Sequence, residues 1–527
     1  SFENYVGAED HWLPPDNVQE HPEIKVAHRT SPTNMGLGLL ANLAAHDFGY
    51  LSTGSLVKRT TDALATMQSL ERYRGHFYNW YDTLTNAPLV PLYVSTVDSG
   101  NLAGHLLTLR SGLDELGDAP ILNPRWFDGI TDTFQVLVEA AGTPPPAPIV
   151  QFEGMLEGTA STMPATLAGA WVEIDRLARR AAELAAHFTA VDVAPAHGEA
   201  AFWATALARQ CADLRDDLLQ LAPWLELPAM PAGELAAAIG TTVPTLRELA
   251  ALADASPPAA QSPREAPAED TLDARVAQGA QCAAGRMLAI DALAQQAAAL
   301  AEMDYGFLFD KVRRQLVIGY NVAQRRRDES YYDLLASEAR LCNFVAIAQG
   351  QLPQESWFAL GRLLTSAGGE PVLLSWSGSM FEYLMPLLVM PAFPGSLLAQ
   401  TCQAAVARQI AYAARHEVPW GISESGYNLT DAAQNYQYRA FGVPGLGLQR
   451  GLSQELVIAP YASALALTVL PREAADNLRR MAARGWLTAC GFFKAFDYPP
   501  TRQQPGETRA VVRSFMAHHQ GMSLVAL

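Results

Sequence analysis

The chain has 527 residues, 49 % of them hydrophobic and only 17 % charged, with a formal net charge of −17 at pH 7. That balance predicts extensive burial rather than disorder. An acidic surface repels phosphate backbones, which argues against nucleic acid as a partner and leaves a neutral polymer open.

The length exceeds what one ordinary core serves, so the expectation is a very large helical domain or a barrel carrying an insertion. Five scattered cysteines (Cys211, Cys282, Cys342, Cys402, Cys490) without CxxC spacing read as buried free thiols of a reducing compartment, not as a disulfide frame or zinc site. No apolar run reaches the ~18 residues of a membrane span, and the N-terminus does not resemble a signal peptide. The chain opens without Met and stops at Ser523-Leu524-Val525-Ala526-Leu527, inside an expected helix, so it reads as a piece of something longer.

Residues 1–126 mix short helices with polar, aromatic loops. Met35 to Ala45 is apolar on most sides, as a helix buried in a larger helical assembly should be. Thr61 to Leu70 is amphipathic, with Leu64, Met67 and Leu70 on one face. Asp98-Ser99-Gly100-Asn101 offers N-capping residues ahead of Leu102, Leu106, Leu107 and Leu109.

Residues 127–302 are rich in Ala and Leu and nearly free of aromatics, with helical runs predicted at 166–187, 199–221 and 271–301. The Pro/Ala/Ser stretch Ala255 to Asp270 interrupts them as an expected surface linker. This region reads as a helical insertion packed on the outside.

Residues 303–527 return to the aromatic texture. Phe307 to Asp310 and Leu316 to Tyr320 flank a charged turn and predict a β-hairpin; a second is expected at Cys490 to Asp497. Helices are predicted at 331–349, 354–362, 378–387, 397–416, 459–469, 472–484 and 511–527. Helices on both sides of an insertion, joined by loops, point to an all-α fold: an (α/α)6 barrel with short β-hairpins and a helical insertion.

Four loop segments concentrate carboxylates, aromatics and glycines: Arg74 to Asp82 leading to Val97–Asn101, Tyr331 to Arg340, Ser375 to Pro386, and Trp420 to Asn428. Sugars present hydroxyls at their edges and C–H groups on their faces, so a sugar site needs planar aromatics and short polar side chains. Glycosidic chemistry also needs two carboxyls, one neutral to protonate the leaving oxygen and one ionised. Glu338, beside Leu334, Leu335 and Ala339 in an expected helix, suits the proton donor, because desolvation would raise its pKa. The same pattern also fits a helix-surface carboxylate paired with a nearby Arg. Glu424, in a Gly- and Ser-bracketed loop, suits the ionised partner. Glu382, between Phe381 and Tyr383, is the rival carboxylate and fits equally a residue that holds two helices together.

Other chemistries are weaker. His518-His519 resembles half a metal site, but no HExxH motif accompanies it. There is no G-x-S-x-G elbow, P-loop or dinucleotide fingerprint. Neither a metal nor an organic cofactor is expected.

Trp12 to Asn17, His28 to Asn34, Gly75 to Tyr81, Ser377 to Pro386, Trp420 to Ser425 and Met516 to Met522 together closely resemble the central region of cyclic β-1,2-glucan synthases, a region of the glucoamylase-like family. The resemblance covers roughly 1–126 and 303–527. It implies an (α/α)6 barrel that cuts linear β-1,2-glucan and joins the fragment to its own non-reducing end, with retention of anomeric configuration. By motif, Glu338 would be the acid/base and Glu424 the nucleophile. Arg29, His76, Tyr78, Trp80, Tyr81, Asp98, Asn101, Trp376, Ser377, Glu382, Trp420, Tyr427, Tyr436, Tyr438, His518 and His519 would contact substrate. The resemblance further implies partner domains in the same protein, a glycosyltransferase before and a glycoside-phosphorylase-like domain after, at the cytoplasmic side of a bacterial inner membrane. Endo-hydrolysis of β-1,2-glucan on the same scaffold, or a non-catalytic glucan-holding module, are the alternatives.

Overall fold

The structure, a computed structural model, describes residues 2–190, 195–227, 242–255 and 271–527. The chain divides into two compact units, one of Ser1–Ala41, Asp62–Leu109 and Ala297–Leu527, the other of Asn42–Thr61 and Arg110–Gln296. Among the described residues no helix is long and apolar enough to cross a membrane.

In the second unit the long helix Leu167–Ala190 packs along Pro195–Leu221, which also packs against Trp126–Ala141. Phe134 meets Phe152 with ring centroids 5.0 Å apart in its core. Arg286 and Asp217 form a largely buried ion pair at 2.6 Å. The expected linker at 255–270 lies outside the described residues, apart from Ala255 at the end of the helix Leu246–Ala255.

The first unit holds short helices and small sheets of two or three strands, none of which closes. The helix Pro32–Asp47 buries Met35, Leu37, Leu39, Leu40 and Ala41, as its near-continuous apolar pattern predicts. Two glycines let helices approach closely, at Gly36 against the His105 side chain and at Gly100 against Cys342 including its Cα. A Cβ at Gly36 would lie 2.4 Å from His105 Nδ1, and one at Gly100 would lie 2.3 Å from Cys342 Cβ. The helices Pro32–Asp47 and Ala339–Ala348 therefore both sit hard against Thr96–Leu116.

Four expectations from the sequence give way here. The helix Thr96–Leu116 begins before Asp98, and its cap is Ser95, whose Oγ accepts from the Asp98 N–H at 3.3 Å. Asp98 is thus a first-turn residue, and Asn101 lies in the second turn. The expected helix 331–349 is only Ala339–Ala348; 331–338 is a loop tied by turns, because Asp333 Oδ1 accepts from Leu335 N (3.0 Å) and Ser337 is left-handed at φ 52°. The expected hairpin 490–497 is split between two sheets: Gly491–Phe492 pairs with Leu487–Thr488, while Ala495–Asp497 pairs with Val457–Ile458 and Ala510–Val512. The expected helix 511–527 is the helix Ala517–Val525 preceded by strands Ala510–Val512 and Ser514–Met516. The hairpin around residues 311–314 forms as expected, with Phe309 opposite Leu316.

Gly442 marks where this unit has no slack. A Cβ there would lie 1.8 Å from the Ser377 carbonyl oxygen and 2.6 Å from the Gly378 carbonyl carbon, both backbone atoms. We expect Gly442→Ala to cost about 1–3 kcal/mol by overpacking, read as a lowered urea midpoint. An unchanged midpoint would contradict this packing.

Candidate active site

The segment Ser375–Leu384 organises the site. Ser379 caps the short helix Met380–Leu384 in a reciprocal capping box with Glu382. The Glu382 carboxylate, 3 % exposed, also accepts from Ser377 N at 3.1 Å and Ser377 Oγ at 2.5 Å. Its oxygens are occupied inside its own segment. This segment is then tied to two neighbours. Buried Arg340 donates to the carbonyls of Glu382 (2.6 Å) and Tyr383 (2.5 Å). On the other side, Phe381 N donates to Ser423 Oγ at 3.0 Å, while Gln409 brackets Ile422 through both its N–H (2.9 Å) and its carbonyl (2.7 Å). Glu338 lies two residues before Arg340, and Glu424 one residue after Ser423. Both carboxylates are therefore positioned from the same piece of backbone.

Glu338 is 4 % exposed and stands at the N-cap of Ala339–Ala348, not inside a helix as its apolar neighbours suggest. Left-handed Ser337 turns the chain into that position and donates its Oγ–H to Glu338 Oε2 at 2.5 Å. Burial pushes the Glu338 carboxyl up to about 7; Asp98 adds to the rise, and the bonds from Ser337 and Asn101 oppose it. Pairing with a surface Arg is ruled out, since Arg340 is itself buried and committed to carbonyls.

Glu424 is half-buried just before the strand Ser425–Thr430. The sequence suggests that hydroxyls and N–H groups around it keep it ionised. They do not. Ser423 Oγ is taken by Phe381 N and Tyr461 Oη, and Ser425 Oγ donates to the Lys494 carbonyl at 3.2 Å. Among the described residues only Tyr438 Oη reaches the carboxylate, at 3.4 Å. Burial, then the negative charges of Glu338 and Glu382, push Glu424 up to about 8. The two raised carboxyls are thus linked through the charge of Glu338 acting on Glu424. Near neutral pH a proton is retained between them, and with the higher value on Glu424 it rests there more than on Glu338 in the ligand-free chain, the reverse of the roles the sequence suggests.

The surroundings are polar and ordered. Asp98 accepts from Thr33 Oγ1 at 2.6 Å, and Asn101 donates to the same Thr33 oxygen at 3.1 Å. With its amide oriented to satisfy both neighbours, Asn79 donates to Asp98 Oδ2 (3.1 Å) and accepts from Trp80 Nε1 (3.2 Å). Burial raises the Asp98 carboxyl as well. Around Glu424, Tyr438 Oη lies 3.5 Å from His518 Nε2 and 3.4 Å from His519 Nε2. Burial holds His518 down to about 4 and His519 well below its ordinary value, so both rings are neutral at pH 7. His518 Nδ1 meets Asn34 Oδ1 at 3.1 Å, and His519 stacks on Tyr461 at 3.7 Å between centroids.

Not every expected contact residue reaches this cluster. His76 is fully buried between Ser99 Oγ and the Asp304 carbonyl, both at 2.9 Å, with burial lowering it to about 4. Tyr78 and Tyr81 are core residues bonded to Glu71. Trp420 is buried, its carbonyl accepting from Asn477 and Ser463. Ser377 serves Glu382. These five hold the scaffold rather than a ligand. Tyr427 lies between Arg439 and Arg502, and Tyr436 N donates to Gln19 Oε1. Trp376, 60 % exposed, and Trp80, with the Arg29 guanidinium 4.7 Å over its ring, remain as open aromatic platforms.

Sequence reasoning missed Asp16, Asn34, Tyr461 and Lys494. Asp16 is buried and accepts from Arg29, Asn34 and Asn17. Lys494 is buried, its Nζ 5.0 Å over the Tyr438 ring, and burial lowers it to about 8. The one available signal was Gly426, where a Cβ would come within 2.9 Å of the Lys494 side chain.

The Glycoamylase family model matches residues 330–527. Over its whole length the chain is 39 % identical to the cyclic β-(1,2)-glucan synthase NdvB of Rhizobium meliloti, and it spans 17 % of that much longer protein. Among solved structures it resembles an endo-β-1,2-glucanase from Talaromyces funiculosus in complex with sophorose, 11 % identical, TM-score 0.52, covering 99 % of this chain and 80 % of that one. It also resembles a glucoamylase-like protein of Bacteroides caccae, 12 % identical, TM-score 0.50, covering 100 % and 88 %. The fold is that of the (α/α)6-barrel enzymes, all-α with short hairpins.

The raised carboxyls carry a stability signature. A carboxyl held at about 8 when folded, against ~4.3 unfolded, binds more protons folded than unfolded across that window. Stability contributed by its neutral form is therefore lost as pH rises from about 4.3 toward 8. Glu424→Gln cannot ionise, so its melting temperature should exceed that of the parent at pH 8 and approach it at pH 5. Thermal unfolding at both pH values checks this; an equal difference at both would contradict the raised value.

Proposed function

We propose that this chain, the counterpart of a segment within the cyclic β-(1,2)-glucan synthases, is an anomer-retaining transglycosylase that closes linear β-1,2-glucan into rings. The observation that carries this reading is a pair of raised carboxyls, Glu338 and Glu424, the charge of the first helping to raise the second, both positioned from one backbone bracket. Retaining glycosyl transfer needs such a pair, one protonated and one ionised.

In this mechanism Glu338 gives its proton to the leaving 2-oxygen as Glu424 attacks the anomeric carbon. The C1–O2 bond breaks and a C1–Oε bond to Glu424 forms, inverted to α. The 2-hydroxyl at the non-reducing end of the same fragment then attacks C1 and gives its proton to Glu338; the C1–Oε bond breaks, freeing the Glu424 carboxylate, and the new C1–O2 linkage is again β. Tyr438 orients the Glu424 carboxylate, and Trp376, Trp80 and Arg29 offer platforms to sugar rings. Glu382 holds the bracket and does not exchange protons with substrate. In a protein of the relative's length, further domains would supply linear glucan and process product, with the site at the cytoplasmic side of an inner membrane.

Incubating the chain with linear β-1,2-glucan should yield products one water lighter than linear chains of the same length. Shorter linear chains alone would mean that water is the acceptor, and unchanged chain lengths would mean a binding module.

The roles of the two carboxylates separate by rescue. Glu424→Gln should lower glucan cleavage by at least about 10³-fold, and Glu338→Ala by roughly 10²–10⁴-fold. Azide should restore turnover to Glu338→Ala and give a β-glucosyl azide; with Glu424→Ala it should give the α-azide. The opposite pairing of products would exchange the two roles.

A further inference from the structure

Two β-hairpins of the first unit carry a charge pattern that the carboxylate site does not use. Phe309 pairs with Leu316 and Asp310 with Gln315, leaving 311–314 as one turn; Tyr320 pairs with Arg327 and Asn321 with Arg326, leaving 322–325 as the other. Lys311, Arg313, Arg314, Arg325, Arg326 and Arg327 are all exposed, and no acidic residue lies between 311 and 327. Set against −17 for the whole chain, this stretch of +6 leaves −23 elsewhere. The hairpins lie side by side, because Arg327 Nη1 donates to the Phe309 carbonyl at 3.2 Å. Val312, 93 % exposed, projects between Lys311 and Arg313.

Two of the flanking carboxylates, Asp310 and Asp328, are already employed, while Glu329 is exposed beyond the second hairpin. Asp310 accepts from the N–H groups of Val312 (2.8 Å) and Arg313 (3.1 Å) and from Tyr331 Oη (2.6 Å), and Asp328 accepts from Tyr93 Oη. Among the described residues none of the six cations is in an ion pair. Backbone conformation adds an independent observation. Each turn ends on a left-handed arginine, Arg314 at φ 57° and Arg325 at φ 50°. Turn geometry alone favours Gly or Asn at such positions. Both hairpins hold a cation where the backbone disfavours it.

We propose that these two hairpin tips form a docking surface for an anionic lipid bilayer. Clustered Lys and Arg side chains are drawn to a negative headgroup layer within about a Debye length. An apolar side chain ringed by cations fits the boundary between headgroups and acyl chains. Val312 selects this occupant over a soluble polyanion, which has no apolar layer to receive it. Docking through the tips brings the cationic face of an otherwise acidic chain to the membrane and turns the rest of the negative surface of this unit to water.

The test is co-sedimentation of the full chain with vesicles of phosphatidylcholine, with or without phosphatidylglycerol, at low and high salt. Binding is expected only with phosphatidylglycerol, and it should fall as salt rises. Val312→Asp should weaken it by about tenfold, a difference of ~1.4 kcal/mol. A triple Arg325→Gln, Arg326→Gln, Arg327→Gln variant should abolish it, with an unchanged melting temperature showing that the fold is intact. Equal binding to both vesicle types, or binding that survives the triple substitution, would overturn the proposal. So would equal affinity for heparin together with indifference to Val312→Asp, which would make the surface a general polyanion site.

Discussion

Much of the candidate site depends on one buried arrangement, the Glu382 carboxylate held by Ser377 and Ser379 with Arg340 bonded to the carbonyls beside it. A carboxylate removed from water is costly unless its lone pairs are filled. Here they are filled by donors three to five residues earlier, which locks Ser375–Leu384 into a single conformation. A planar guanidinium presents several donors in fixed directions, so Arg340 can reach two consecutive carbonyls and fix the helix that follows Glu338. Ser423 does the same on the opposite side by accepting from Phe381 N. The geometry of the two raised carboxyls follows from this bracket rather than from contacts of their own.

That arrangement has an electrostatic consequence. Glu382 contributes negative charge that raises Glu424, and Asp98 contributes charge that raises Glu338. The neutral His518 and His519 offer no countercharge. Lys494 is, with Arg340, a buried cation of the cluster, and it lies against the Tyr438 ring, with Asp16 as its favourable partner. Carboxyls outnumber cations, so a proton is retained near neutral pH. Proton donation at neutral pH is thereby built into the fold, at a cost to stability supplied by packing elsewhere.

Much of this was legible in the sequence. The apolar run at 35–45 specifies a buried helix, and the Ala-rich helices follow their periodicity closely: 166–187 was expected and Leu167–Ala190 is found. The carboxylates 338, 382 and 424 stood out through their neighbours. What could not be read was direction. Glu338 was expected inside a helix because Leu334, Leu335 and Ala339 are apolar, yet a left-handed Ser337 places it at the helix start. Glu424 was expected to be solvated by serines, but those hydroxyls point at backbone and at Tyr461. Aromatic loop residues were expected at the ligand; His76, Tyr78, Tyr81 and Trp420 instead fill the core. Composition shows that a segment is polar and aromatic, while long-range hydrogen bonds decide which side faces the cleft. Lys494 illustrates the limit, since its position depends on a strand pairing between residues nearly forty apart in sequence.

The central claim is that Glu338 and Glu424 both titrate near neutral pH, with the charge of Glu338 helping to raise Glu424. Difference infrared spectroscopy of the carboxylic C=O stretch, comparing the parent with Glu338→Gln across a pH series, tests it most directly. The account predicts a protonated carboxyl persisting to about pH 7–8 in the parent, and a lower midpoint for Glu424 once the charge at 338 is removed. Midpoints near the ordinary glutamate value of ~4.3, unchanged by that substitution, would contradict it.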